Sequence, residues 1–156
     1  MDLIASFTVN HLLLEPGVYV SRQDADPSTG AVITTFDLRL TAPNREPVMD
    51  TAAVHALEHL GATFLRNDPE WSSRVVYFGP MVCRTGFYLV LFGKYESVDV
   101  IDLVTRAFEF ARDFEDEIPG ARPAECGNWH DADLNAAHWW APATSSGRCT
   151  RSTMRI

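Results

Sequence analysis

Ala31-Val32-Ile33-Thr34-Thr35-Phe36-Asp37-Leu38-Arg39-Leu40 is the clearest strand in the chain. Alternation puts Val32, Thr34, Phe36, Leu38 and Leu40 on one face and Ile33, Thr35, Asp37 and Arg39 on the other. Arg39 therefore points away from Phe36 and Leu38, toward a site or toward water, and water is the default for an arginine. Upstream, Ser6 to Val9 and Val18-Tyr19-Val20 read as short strands separated by the breaker Glu15-Pro16-Gly17. Asp24 to Gly30 has turn-forming density, which predicts a hairpin into the long strand. Downstream, Pro43 and Pro47 bound a loop, and Asp50 or Thr51 is positioned to cap a helix that runs to Asn67, before Pro69. Arg74 to Tyr77 and Gly86 to Gly93 read as a strand pair. Ser97 is expected to cap an amphipathic helix to about Glu115, with Val100, Ile101, Val104, Ala107, Phe108 and Ala111 spaced at three and four as core. A short helix from Asp131 to Trp140 closes the pattern. Hairpin strands with helices grouped after them predict an α+β fold, an antiparallel sheet packed against helices. The expected division is one domain over residues 1–141 and a frayed tail over 142–156.

The chain has 156 residues, enough to bury about two-thirds of its unfolded surface in a single core. Thirteen basic against 21 acidic residues give a net charge of −8, which argues against nucleic acid or an anionic membrane as partner and for a small molecule or a protein. Met1 to Phe7 lacks a basic region followed by an apolar run, and no stretch approaches the ~18 apolar residues that a bilayer requires, so a soluble, cytoplasmic protein is expected. Cys83, Cys126 and Cys149 are too few, and odd in number, for a disulfide framework. Free or metal-bound thiols in a reducing compartment fit better.

The chemistry centres on Val54-His55-Ala56-Leu57-Glu58-His59-Leu60, inside the helix from Thr51 to Asn67. At ~100° per residue His55 and His59 stand one turn apart on one face, with Glu58 beside them. Two imidazoles at that spacing converge on a divalent metal without bending the backbone. A third ligand is needed, and Cys126, a loop thiol just before Gly127, is best placed by residue type. Two imidazoles and a thiolate leave a fourth position for water or substrate. Cys83 lies in the link from Gly79 to Thr85, near the start of the strand at Gly86 and beside Arg84, and a neighbouring cation favours the thiolate; read blandly, it is a small buried hydrophobe. Glu58 is a candidate general base or a residue that orients a ligand.

His55-Ala56-Leu57-Glu58-His59-Leu60, Phe36-Asp37-Leu38-Arg39, Cys83-Arg84-Thr85-Gly86-Phe87-Tyr88 and Glu125-Cys126-Gly127-Asn128, in this order, resemble the S-ribosylhomocysteine lyase (LuxS) family. Ser6-Phe7 followed by His11, Ala42-Pro43-Asn44 and Arg66-Asn67 match too, so the resemblance covers about residues 5 to 135. It implies a LuxS-like α+β homodimer with active sites at the subunit interface. Each subunit would hold one divalent metal, Fe(II) foremost, with zinc or cobalt as alternatives, through His55, His59 and Cys126. The implied reaction opens a ribose, moves its carbonyl by successive enolisations and eliminates homocysteine as a thiol. Cys83 and Glu58 would move the protons, with Arg39 helping to lower the thiol pKa. Ser6 and His11 of the other subunit would bind sugar hydroxyls, and Arg66 would meet the substrate's amino-acid carboxylate. The chain departs from the family at Tyr77, where an acidic residue associated with the amino-acid end is expected, and at Val82, where a glycine adjoins the thiol.

Three other readings follow from the residues. One is a divergent isomerase or epimerase that makes the same proton transfers on another pentose or nucleoside-derived substrate without C–S cleavage. Another is a zinc peptidase, since H-x-x-E-H also marks inverted peptidases, although these take a carboxylate as third ligand. The last is a non-catalytic metal-binding module.

Overall fold

The computed structural model describes residues 9–145, with side chains to 141. Ser6 and Phe7, with the strand expected there, lie outside them, as do residues 146–156 of the expected tail, Cys149 included. Strand β1 (Gly17–Ala25) and strand β2 (Val32–Arg39) form a hairpin. Asp26 closes its turn by accepting from the Ser28 amide and from the Ser28 and Thr29 hydroxyls. Helix α1 (Thr51–Asn67) follows with the bounds its sequence predicts, and Asp50 caps it by accepting from the Ala53 amide at 2.8 Å. Strands β3 (Val75–Pro80) and β4 (Gly86–Phe92) complete an antiparallel sheet of order β1-β2-β4-β3. Helices α2 (Ser97–Asp113) and α3 (Leu134–Ser145) come last.

The sheet's periodicity sorts its faces. Val18, Val20, Phe36, Leu38, Phe87, Leu89 and Leu91 are all buried on one side. The helices cover that side with Leu57, Leu60 and Leu65 of α1, Val100, Leu103 and Phe108 of α2, and Ala137 and Ala141 of α3. Phe78 stacks on Phe87 with centroids 5.1 Å apart and lies against Gly61 of α1, where an added Cβ would come within 2.5 Å of the Phe78 ring. The α+β arrangement of antiparallel sheet against helices is therefore as expected from the sequence.

Four local expectations change. The N-cap of α2 is Glu96, not Ser97: the Glu96 side chain accepts from the backbone of Asp99, whose carboxylate accepts from the Glu96 amide at 2.8 Å. Ser97 is the first residue inside the helix and is buried. That helix stops at Asp113 rather than Glu115. The last helix starts at Leu134 and continues past Pro142 to Ser145, with Ala141 carried into the core. Finally, Arg39 does not reach water: it is 3% exposed and paired with Asp37. No helix among the described residues is long and apolar enough to cross a membrane.

Candidate metal and thiol site

The helical repeat of α1 turns Leu57 and Leu60 into the core and leaves His55, Glu58 and His59 on a half-buried flank. Facing that flank is the irregular segment between α2 and α3. His55 Nδ1 donates to the Asp131 carbonyl at 2.7 Å and His59 Nδ1 to the Pro119 carbonyl at 2.6 Å. A carbonyl only accepts, so each Nδ1 carries a proton, and in the neutral ring that a metal requires each Nε2 offers its lone pair. Those two Nε2 atoms are 3.0 Å apart, and the Cys126 sulfur lies 3.3 Å from that of His55. All three donor atoms fall within 4.8 Å of one another. Lone pairs converging this closely repel unless a cation lies among them, so the donor set fits a divalent metal.

Gly120 makes the second clamp possible. It sits at φ +75°, and a Cβ there would come within 3.1 Å of His59 Nδ1. Glu58 and His59, with Ala62, Thr63, Pro119 and Gly120, line an open cleft of ≈ 360 Å³. Glu58 thus stands beside the metal ligands at a surface that a small molecule can enter.

Cys83 occupies a second cluster, built on the opposite face of the sheet. Arg39 lies across from Gly86 in the β2–β4 register, where an added Cβ would sit 2.2 Å from the Leu38 carbonyl oxygen. The guanidinium of Arg39 donates to both oxygens of Asp37 and to the Thr85 hydroxyl, and its Nη1 is 3.9 Å from the Cys83 sulfur. Thr85 Oγ1 lies 3.1 Å from the same sulfur. Partial burial pushes the thiol pKa up, but hydrogen bonds from the Thr85 side chain and backbone, and then the Arg39 charge, outweigh it and hold it below its usual 9.0. The cation that does this is Arg39; Arg84, the neighbour in sequence, adopts a left-handed φ of 58° in the turn. Burial raises the Asp37 pKa, against the opposing charges of Arg39 and His11. His11 Nδ1 contacts the Val9 carbonyl at 2.9 Å.

Of the residues expected to bind substrate, Ser6 lies outside the described residues. Arg66, in the last turn of α1, spends Nη1 and Nη2 on the carbonyls of Val75 and Val76 at 2.8 and 3.0 Å. Sequence reasoning overlooked Thr85 and Asp37 as supports of the thiol, although both stand in quoted motifs and Asp37 shares the strand face of Arg39. It also overlooked the carbonyls of Pro119 and Asp131, which no residue type announces.

A family model described as S-ribosylhomocysteinase (LuxS) matches residues 4–154. An S-ribosylhomocysteine lyase of Clostridium acetobutylicum is 56% identical over 94% of this chain and 91% of its own length. One from Finegoldia magna is 57% identical over 90% and 88% of the two chains, and one from Borrelia garinii subsp. bavariensis 50% identical over 89% and 87%.

Proposed function

The chain belongs to the S-ribosylhomocysteinase (LuxS) family, and on that premise we propose that it is a metal-dependent carbon–sulfur lyase acting on S-ribosylhomocysteine. The observation that carries the proposal is the histidine pair with both Nδ1 atoms tied to carbonyls, which commits two Nε2 lone pairs and the Cys126 sulfur to one ion. One divalent ion per subunit, Fe(II) by preference with zinc or cobalt as substitutes, would be held by His55, His59 and Cys126. Such an ion supplies Lewis acidity toward a substrate carbonyl or hydroxyl oxygen.

The protein's own residues move the protons. Cys83, as thiolate, takes a proton from the carbon beside the sugar carbonyl and returns it to the former carbonyl carbon, so the carbonyl migrates along the chain. Glu58 carries protons between the substrate oxygens. When the carbonyl stands two carbons from the sulfur-bearing carbon, removal of the intervening proton expels homocysteine as a thiol and leaves a dihydroxypentanedione. Thr85 and Arg39 lower the Cys83 thiol pKa and so favour the thiolate, while Ser6 and His11 bind sugar hydroxyls.

The active unit is proposed to be a homodimer with sites at the interface. Arg39 and Cys83 lie on the sheet face opposite Leu38 and Phe87, whereas α1 packs against the Phe78 side. The thiol of one chain would then meet the metal ligands of the other. Val82 beside Cys83 in sequence, and Leu12 and Leu13 beside His11, are exposed apolar residues that a partner subunit would cover. Cys83 and Cys126 are free thiols, which supports a reducing, cytoplasmic setting as part of this reading.

A second reading rests on Tyr77 and Val82: a relative that completes the proton transfers on another pentose but does not cleave C–S. Metal-loaded protein is incubated with S-ribosylhomocysteine in deuterated water, and free thiol and deuterium uptake are followed. Thiol release is expected. Deuterium exchange into the sugar without thiol release would favour the second reading, and neither signal would refute both.

A further inference from the structure

The irregular segment between α2 and α3, residues 114–133, carries three groups that face the histidine pair. They are the Pro119 carbonyl on His59, the Cys126 sulfur, and the Asp131 carbonyl on His55. The segment's own backbone bonds close local turns, from Ala121 to Ile118, from Cys126 to Arg122 and from Asp131 to Asn128. Such turns shape a loop without fastening it to its neighbours. The fastening lies at the two ends, and both ends lead to α3.

At the far end Asp133 caps α3: its carboxylate accepts from the Ala136 amide at 3.1 Å and its carbonyl from the Ala137 amide at 3.0 Å. The Asp133 amide donates in turn to the Ala52 carbonyl, in the first turn of α1, at 3.1 Å. One residue thus joins the start of α3 to the start of α1, two positions from the carbonyl that holds His55. Ala132 and Leu134, on either side of it, pack against the core. At the near end, Phe114 follows the last residue of α2, and its carbonyl is one that a helix leaves without an internal partner. His138, one turn into α3, donates to that carbonyl from Nε2 at 2.7 Å. Ala137 and Ala141 of α3 are fully buried beside these ties.

We propose that α3 is the clasp of the metal loop, with Asp133 and His138 as its positioning residues. By fastening both ends of residues 114–133 they hold Pro119, Cys126 and Asp131 against α1, so that metal binding and the docking of α3 stabilise each other. The inference rests on the metal site of the lyase reading. Neither residue contacts the ion; each acts through the loop. The coupling is reciprocal, so the factor that the clasp adds to metal affinity is the factor that the metal adds to closure of the clasp.

The test strips Co(II) from loaded full-length protein with a competing chelator and follows loss of the thiolate-to-cobalt charge-transfer band. The chains compared are wild type, Asp133→Ala, Asp133→Asn, His138→Ala and Asp26→Ala, the last removing the side-chain hydrogen bonds of the β1–β2 turn as a control. Asp133→Ala and His138→Ala are each expected to weaken Co(II) binding about fivefold. Asp133→Asn, an equally good cap, should restore the wild-type affinity, and Asp26→Ala should keep it. In wild type, stripping should speed amide exchange in α3 more than in β1 and β2. Wild-type affinity in either Asp133→Ala or His138→Ala overturns the clasp, as does an equal loss in Asp26→Ala. Exchange in α3 that ignores the metal, or that speeds no more than in β1 and β2, overturns it too. Should an alanine variant fail to fold, the exchange measurement on wild type decides. Failure of wild type to bind Co(II) would instead strike the metal reading.

Discussion

Two supports, Thr85 and Arg39, lower the pKa of the Cys83 thiol, and each can be removed separately. Alkylation of Cys83, read as modification of its own peptide across a pH series, should inflect below 9.0 in the wild type. Thr85→Val and Arg39→Met should each move the inflection up toward the ordinary thiol range. The sign follows from linkage: a depressed folded-state pKa stabilises the protein above the unfolded value, and that contribution is lost as pH falls through the folded one. Arg39 cannot be judged apart from Asp37, because both side chains are nearly inaccessible. Asp37→Ala leaves a buried guanidinium without its partner and is expected to cost about 3–5 kcal/mol in urea unfolding. The sequence placed Arg39 on the right face of its strand but sent it toward water. Alternation reports which residues share a face, not whether that face is covered, and Asp37 two residues away was the available sign of a buried pair.

At the scale of elements, α1 was legible because its signals agree: an Asp cap, leucines at helical spacing and a proline beyond the end. The start of α2 was read one residue late because a serine resembles a cap by type, while the reciprocal Glu96–Asp99 pair occupies the role. The β-bulge at Val76 in β3 left no trace in the sequence, since an extra residue shows only in pairing with β4. The segment from Pro119 to Asp131 was likewise read only as loop, although its carbonyls orient both histidines. Its contribution can be measured at Gly120. Gly120→Ala strains a backbone at φ +75° and crowds His59 Nδ1, so metal affinity is expected to fall roughly tenfold or more, with helix content by circular dichroism unchanged. In cobalt-loaded protein, Cys126→Ser should abolish the thiolate-to-metal charge-transfer band, which His55→Ala weakens through lost affinity.

For the whole molecule, the sheet is a partition. Its helix-covered side belongs to α1, whose outer flank bears His55, Glu58 and His59, and its other side bears Cys83 and Arg39. The residue types of the metal site were readable from spacing, and the ordered motifs pointed to the family. The partition itself was not, because it depends on which face each strand residue takes after two register irregularities. A net charge of −8 is consistent with a small-molecule enzyme, and the thiol-bearing face, with exposed Val82 beside Cys83, is where a second copy of the chain would dock. The most direct test is complementation between two inactive chains. Cys83→Ala keeps the metal ligands and loses the thiol; His59→Ala does the reverse. Co-expressed as mixed dimers and loaded with metal, they should release thiol from S-ribosylhomocysteine at about a quarter of the wild-type rate, since half of the dimers are mixed and each mixed dimer holds one intact site. No activity in the mixed dimers, with wild type active, would contradict the account.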